Sequence, residues 1–265
     1  MRRLTGFLLA LATALAVPTT ASANVDTART AARQAMAPTT SAVAARPLAL
    51  VYRGPAACPD GCSEAAAAMV RTAKQGFDVR YVGPRETLKL TAANLKRAAL
   101  YVQPGGGDSS ELAARQMQTY APIISAYVRN GGHYLGMCMG GYLAGTPGFD
   151  ILPGNSDQFI TSRGASVKTA RDTTVQVSWR GKTRYMYFQD GSLFTLRRGA
   201  TGVTVLARYT NNQIAALVAH TGRGKVAVAG PHPEAQPDWY SYNHVVDRDG
   251  GDADLGRDMI DTLMS

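Results

Sequence analysis

Short apolar runs recur along the chain, and between them apolar positions fall every three or four residues. That alternation predicts strands interleaved with helices. Leu48–Tyr52 carries no charged or strongly polar residue and reads as a central strand. Ser63 to Gly76 reads as a helix, with Ser63 as N-cap and Gly76 as stop. Asp78–Gly83 is a second strand, Thr91–Arg97 a short helical turn, and Ala98–Gln103 a third strand running into Pro104-Gly105-Gly106-Gly107-Asp108. One longer helix then extends to Val128-Arg129-Asn130, and His133–Gly136 forms the next strand. Strands and helices in this order imply a parallel sheet covered on both faces.

After residue 150 the texture changes. Phe159–Thr161, Val175–Trp179, Arg184–Phe188, Val203–Tyr209, Ile214–Ala219 and Lys225–Ala229 are strand-like segments separated by Gly and Asn turns. They predict a mostly antiparallel extension of the sheet whose last strand delivers His232, with Asp254–Met264 as a closing helix. Gly222-Arg223-Gly224-Lys225 lies between two apolar strands, so it reads as a hairpin turn and not as a phosphate loop.

The start of the chain belongs to a different class. Met1-Arg2-Arg3 precedes the apolar core Gly6–Ala12, and Ala21-Ser22-Ala23 places small residues where a signal peptidase cuts. Residues 1–23 therefore read as a secretory signal, 24–46 as an Ala/Thr/Pro-rich flexible linker, and 47–265 as one folded domain. The expected location is secreted or extracytoplasmic, with no integral membrane segment in the mature form. The whole chain has Lys+Arg 28 against Asp+Glu 19; residues 1–23 remove two arginines and no acid, leaving +7. This excess is scattered, without a basic block interleaved with aromatics, and nucleic acid is excluded as a partner.

Three cysteines enter an oxidising compartment. Cys58-Pro59-Asp60-Gly61-Cys62 is a tight turn that brings its two cysteines within disulfide reach. A metal there is disfavoured because no histidine lies near, and neither metal nor cofactor is expected. Cys138 is then the odd thiol, which in a secreted protein suggests a reactive group.

Cys138 sits in Gly136-Met137-Cys138-Met139-Gly140, a strand breaking into a helix through a Gly-x-Cys-x-Gly elbow. Far downstream, Pro231-His232-Pro233-Glu234 places an imidazole and a carboxylate two positions apart on one side of an extended segment. A nucleophilic thiol needs a base and the base needs an orienting group, so Cys138, His232 and Glu234 form a candidate triad. Gly105, Gly106 and Gly107 end a neighbouring strand, and their amides, with that of Met139, suit a developing oxyanion. His133, His220 and His244 have no partner at ligand spacing and receive no role.

These motifs resemble the class I glutamine amidotransferase-like superfamily. The chain is more closely similar to the domain at the amino end of fungal-type biotin–protein ligases, which also occurs alone in bacteria. Tyr134-Leu135-Gly136-x-Cys138, Tyr142–Gly145 and Tyr185–Gly191 carry that likeness, which spans about residues 47–240. The resemblance implies an α/β, flavodoxin-like three-layer sandwich with a mainly parallel central sheet and an antiparallel C-terminal extension. It also implies Cys138 as nucleophile, His232 as base and later acid, Glu234 as orienting carboxylate, and a substrate-facing position for Tyr142. Glutaminase members carry Gln at the position of Tyr142, and the intracellular-protease branch carries His at that of Met139. Glutamine hydrolysis for a synthase is therefore not expected, and biotin ligation is not expected because the ligase catalytic domain is absent.

The leading expectation is a secreted cysteine hydrolase, amidase-like and acting through a thioester. Its substrate would be a small-molecule or peptide-like compound, with cell-wall amides suggested by location alone. The alternative is a secreted ligand-binding module without turnover, and a redox-sensing thiol is a third reading.

Overall fold

The computed structural model describes residues 45–59, 61–107 and 109–265. The expected signal sequence and nearly all of the expected linker lie outside the described residues, as do Asp60 and Asp108. Arg46, at the linker's end, donates to the Gly76 and Phe77 carbonyls at 2.5 and 2.8 Å.

The apolar runs become strands because alternate residues have a hydrophobic layer on each side of the sheet. In β1 (Leu48–Tyr52), Ala49 and Val51 join one core while Leu50 and Tyr52 join the other. β2 (Asp78–Val82), β3 (Leu100–Gln103) and β4 (His133–Met137) pair in parallel around it. On one face lie α1 (Cys62–Arg71) and the closing helix α7 (Ala253–Met264), which bury Met69, Val70, Met259 and Ile260. The other face is covered by α2 (Ala92–Arg97), α3 (Ser110–Met117) and α4 (Ala121–Arg129), through Leu95, Met117, Ile124 and Val128.

The antiparallel part comprises β5 (Gly154–Gln158), β6 (Thr173–Trp179), β7 (Lys182–Phe188), β8 (Ser192–Leu196), β9 (Val203–Tyr209) and β10 (Ile214–Thr221). The main path runs β2-β1-β3-β4-β11-β10-β9-β6-β7, with β8 joining β10 and β5 joining β8. β11 (Gly224–Ala229) is the junction, parallel to β4 on one side and antiparallel to β10 on the other. The first five strands from the parallel edge, 2-1-3-4-11, follow the flavodoxin order with the fifth strand supplied late in the chain. The expected α/β architecture, with a mainly parallel centre and antiparallel strands toward the C-terminus, is the one observed.

Several local expectations are corrected. Ser63 is not an N-cap: Gly61 occupies that position in a left-handed conformation, and the Ser63 hydroxyl instead donates to the Tyr52 carbonyl. The single long helix is two, because Pro122 cannot donate its backbone N–H and belongs in the first turn of a new helix. Phe159–Thr161 is a turn after β5; Phe159 plugs the core, stacked on Tyr209 with ring centroids 3.8 Å apart. β8 and the short helix α6 (Pro237–Tyr242) are further elements that the apolar pattern alone does not announce. No described helix is long and apolar enough to cross a membrane.

Candidate active site

The parallel register of β4 and β11 brings the two chemical motifs together. Met137 lies opposite Ala229, and the Cys138 N–H donates to the Ala229 carbonyl at 2.8 Å. Both chains leave the sheet at the same end, so Cys138 and His232 emerge side by side.

Cys138 has φ 48° and ψ −105°, a conformation that costs a non-glycine residue free energy and persists only where its surroundings impose it. Here α5 (Met139–Ala144) turns straight back over the strand. A Cβ on Gly136 would lie 2.5 Å from the Gly140 carbonyl oxygen, and one on Gly140 would collide with the Gln103 carbonyl. The elbow glycines are thus required by close backbone contact. Cys138 is 7% exposed, and its thiol lies 3.6 Å from the Gln189 carbonyl oxygen.

His232 is 3% exposed and Glu234 1%. The His232 Nδ1 lies 2.9 Å from Glu234 Oε1, and the sulfur of Cys138 is close enough to the ring to act on its charge. The ring is boxed by Trp239 and Tyr187, edge to face, with centroids at 5.3 and 5.9 Å. Burial is the largest single influence on this imidazole and disfavours its charge. The carboxylate of Glu234 and the sulfur of Cys138 together outweigh it and push His232 up to about 10. The expected triad residues are therefore assembled in space, with a histidine that favours the charged form.

Gly105 is wedged against both partners: a Cβ there would stand 2.6 Å from His232 Cε1 and 3.3 Å from Cys138 Cβ. Gly106, at φ +105°, lies so close to Cys58 that a side chain would overlap its backbone. Cys58 and Cys62 form the expected disulfide, with Cα atoms 5.6 Å apart, and the Cys58 N–H donates to the Gly105 carbonyl at 3.1 Å. The disulfide loop thereby braces the glycine loop. Among the described residues, no backbone acceptor takes the N–H of Gly106 or Met139. Tyr142 donates its hydroxyl to the Asp190 carbonyl at 3.1 Å, and burial, the largest cause, raises its phenol well above the usual value.

Two cavities meet at this point. The first, about 610 Å³, is lined by Cys138, Met139, Tyr142, Gly106, Gly107 and Gln189, with Glu111, Asp157 and Asp190 also on its walls. The second, about 660 Å³, is lined by His232, the Cys58–Cys62 loop, Tyr187, Trp239, Tyr242, Asp172 and Asp238. Gly106 and Gln189 border both. Gln189, Asp190 and the aromatic wall escaped the sequence reading. Pro237 opening a helix with Trp239, Tyr240 and Tyr242 was the available signal for that wall. Among the described residues, no group of three or more His, Cys, Asp or Glu could hold a metal ion.

A family model described as biotin-protein ligase, N terminal, matches residues 48–150 and 155–259. The chain belongs to this biotin-protein ligase N-terminal family. A biotin–protein ligase of Schizosaccharomyces pombe is 29% identical to this family member over 162 residues, which is 51% of this chain and 25% of the ligase. The chain thus spans a quarter of the length of that enzyme. Among solved structures, a glutamine amidotransferase from Thermotoga maritima aligns with TM-score 0.50 and 13% identity, covering 83% of this chain and 90% of that one. A GMP synthase protein from Thermoplasma acidophilum aligns with TM-score 0.51 and 12% identity, covering 83% and 93%. At such identities the structural likeness speaks for the fold. The expected branch is borne out, and these structures share the expected fold.

Proposed function

We propose that this chain is a secreted cysteine hydrolase that cleaves a carbon–nitrogen amide bond through a thioester on Cys138. One observation carries the reading: a sulfur at a strained strand–helix elbow stands across Gly105 from His232, whose Nδ1 faces the buried Glu234. A protonated imidazole beside a sulfur favours the thiolate, the attacking species.

The thiolate adds to the amide carbonyl carbon, and the amides of Gly106 and Met139 receive the negative oxygen. The imidazolium gives its proton to the nitrogen as the C–N bond breaks, so a neutral amine leaves and the acyl group stays on sulfur. The now neutral His232 takes a proton from water; the hydroxide adds to the thioester, the C–S bond breaks, and a carboxylic acid departs. Glu234 holds the ring and stabilises its charge without itself gaining the proton. Secretion is supported by the charged-then-apolar start of the sequence and by the disulfide, a bond that persists in oxidising compartments.

A binding module without turnover is favoured by one feature, the Gln189 carbonyl set over the thiol, which shields the sulfur. Iodoacetamide labelling of Cys138 across pH, in the protein and in His232→Ala, decides between them. Labelling already rapid at neutral pH that slows in the variant supports the hydrolase. A thiol labelled only at alkaline pH, unchanged by His232→Ala, sinks it.

A further inference from the structure

Cys138 lines one cavity and His232 the other, with Gly106 and Gln189 bordering both. In thioester chemistry the acyl half stays bonded to sulfur, whereas the departing nitrogen takes its proton from the imidazole. Whatever that nitrogen carries must therefore sit in the cavity that His232 lines.

We propose that the cavity beside His232 is the leaving-group site and that it takes an arylalkyl amine, so that the substrate is a secondary amide of such an amine. This rests on the hydrolase reading above. The secondary amide and one water give a carboxylic acid and the free amine. The C–N bond breaks as His232 protonates nitrogen, and the water that opens the thioester returns a proton to His232. Three observations carry the assignment.

The first is size. A primary amide releases ammonia, which needs no recess, whereas the cavity beside His232 holds about 660 Å³. Its walls include Tyr187, Trp239 and Tyr242, rings that pack edge-to-face or offset against another ring.

The second is the state of the polar groups on those walls. The Tyr187 hydroxyl donates to Asp172, and the Asn243 side-chain amide donates to the Tyr187 hydroxyl at 2.8 Å and to the Trp239 carbonyl at 3.1 Å. These groups hold the wall together and are already engaged with one another, so the surface they support suits an apolar ring better than a polar chain.

The third is exposure. Among the described residues the exposed large hydrophobic side chains are Leu196, Tyr242 and Val246, and two of these fall in the segment that closes this cavity. Tyr242 both lines the cavity and is 84% exposed, which puts its ring at the mouth. A second ring entering beside His232 would cover it.

The test uses two isomers of one composition. N-(2-phenylethyl)acetamide carries its ring on the nitrogen side of the amide, and N-methyl-3-phenylpropanamide carries it on the carbonyl side. With the purified full chain, kcat/KM for the first should exceed that for the second by about tenfold, the scale of burying one phenyl ring. Cys138→Ser gives binding without turnover, read from Trp239 emission, since the other tryptophan, Trp179, is buried and bonded to Asp258. There the first isomer should bind about tenfold more tightly, and adding Tyr242→Ser should cut that difference to about threefold or less. Isomers that bind equally, or a preference untouched by Tyr242→Ser, overturn this inference and leave the hydrolase standing. Selective binding of the first isomer, with turnover of neither by the Cys138 protein, overturns the hydrolase and with it the leaving-group assignment.

Discussion

Gly105→Ala adds one methyl group between Cys138 and His232, and the structure sets its effect. The new Cβ would lie 2.6 Å from His232 Cε1, where ordinary carbon contact begins near 3.5 Å, so the ring must retreat by about 1 Å. It cannot retreat freely, with Trp239 and Tyr187 around it and Glu234 held at 2.9 Å. No positive φ is involved at this position, so the cost is one of crowding alone. Overpacking of this size destabilises by about 1–3 kcal/mol, which a domain of this size survives. Displacing a catalytic base by about 1 Å costs on the order of 100-fold in turnover. An isolated thiol is about 3% thiolate at pH 7, so uncoupling sulfur from imidazolium should slow alkylation by up to about 30-fold. Cys138 is the free cysteine beside the Cys58–Cys62 disulfide, so iodoacetamide reports on it directly. The assay is labelling rate against pH, alongside urea unfolding to establish that the variant folds. A folded Gly105→Ala protein that labels at the wild-type rate, with the wild-type pH profile, would refute the coupling argued here.

Two further outcomes follow from the same geometry. His232 is raised from 6.5 to about 10 when folded, with burial opposing the rise and Glu234 and Cys138 driving it. Its contribution to stability is therefore complete below pH about 6.5 and lost as pH climbs toward 10; urea midpoints should fall across that window, and Glu234→Gln should flatten the fall, whereas parallel slopes would contradict the assignment. The Cys58–Cys62 bond closes a loop with a sequence separation of only 4, so the double substitution Cys58→Ser, Cys62→Ser should cost about 2 kcal/mol in urea unfolding, and an unchanged midpoint would show that the brace contributes nothing.

The parallel half was legible because its central strands are buried on both faces. Leu48–Tyr52 and His133–Met137 can be read from apolar content alone, and the glycines around Cys138 betray the elbow. β5 was not legible. Gly154–Gln158 is polar and half-exposed, and its strand character comes from pairing with β8, a contact that no local pattern encodes. Phe159 drew the assignment because it is apolar, yet it serves the core from a turn. The candidate residues Cys138, His232 and Glu234 could be named from residue type and spacing, whereas the Gln189 carbonyl could not, because a backbone group carries no residue signature.

β4 and β11 lie side by side, but the chain runs through all six antiparallel strands between them. Cys138 is therefore in place long before His232 in chain order, and closing so long a loop is slow compared with local helix formation. Until β11 slots in, Cys138 has no imidazole beside it and is chemically an ordinary thiol. On the proposed reading, completion of the sheet switches the centre on, and the moment at which Cys138 becomes quick to alkylate during refolding marks the insertion of its last central strand.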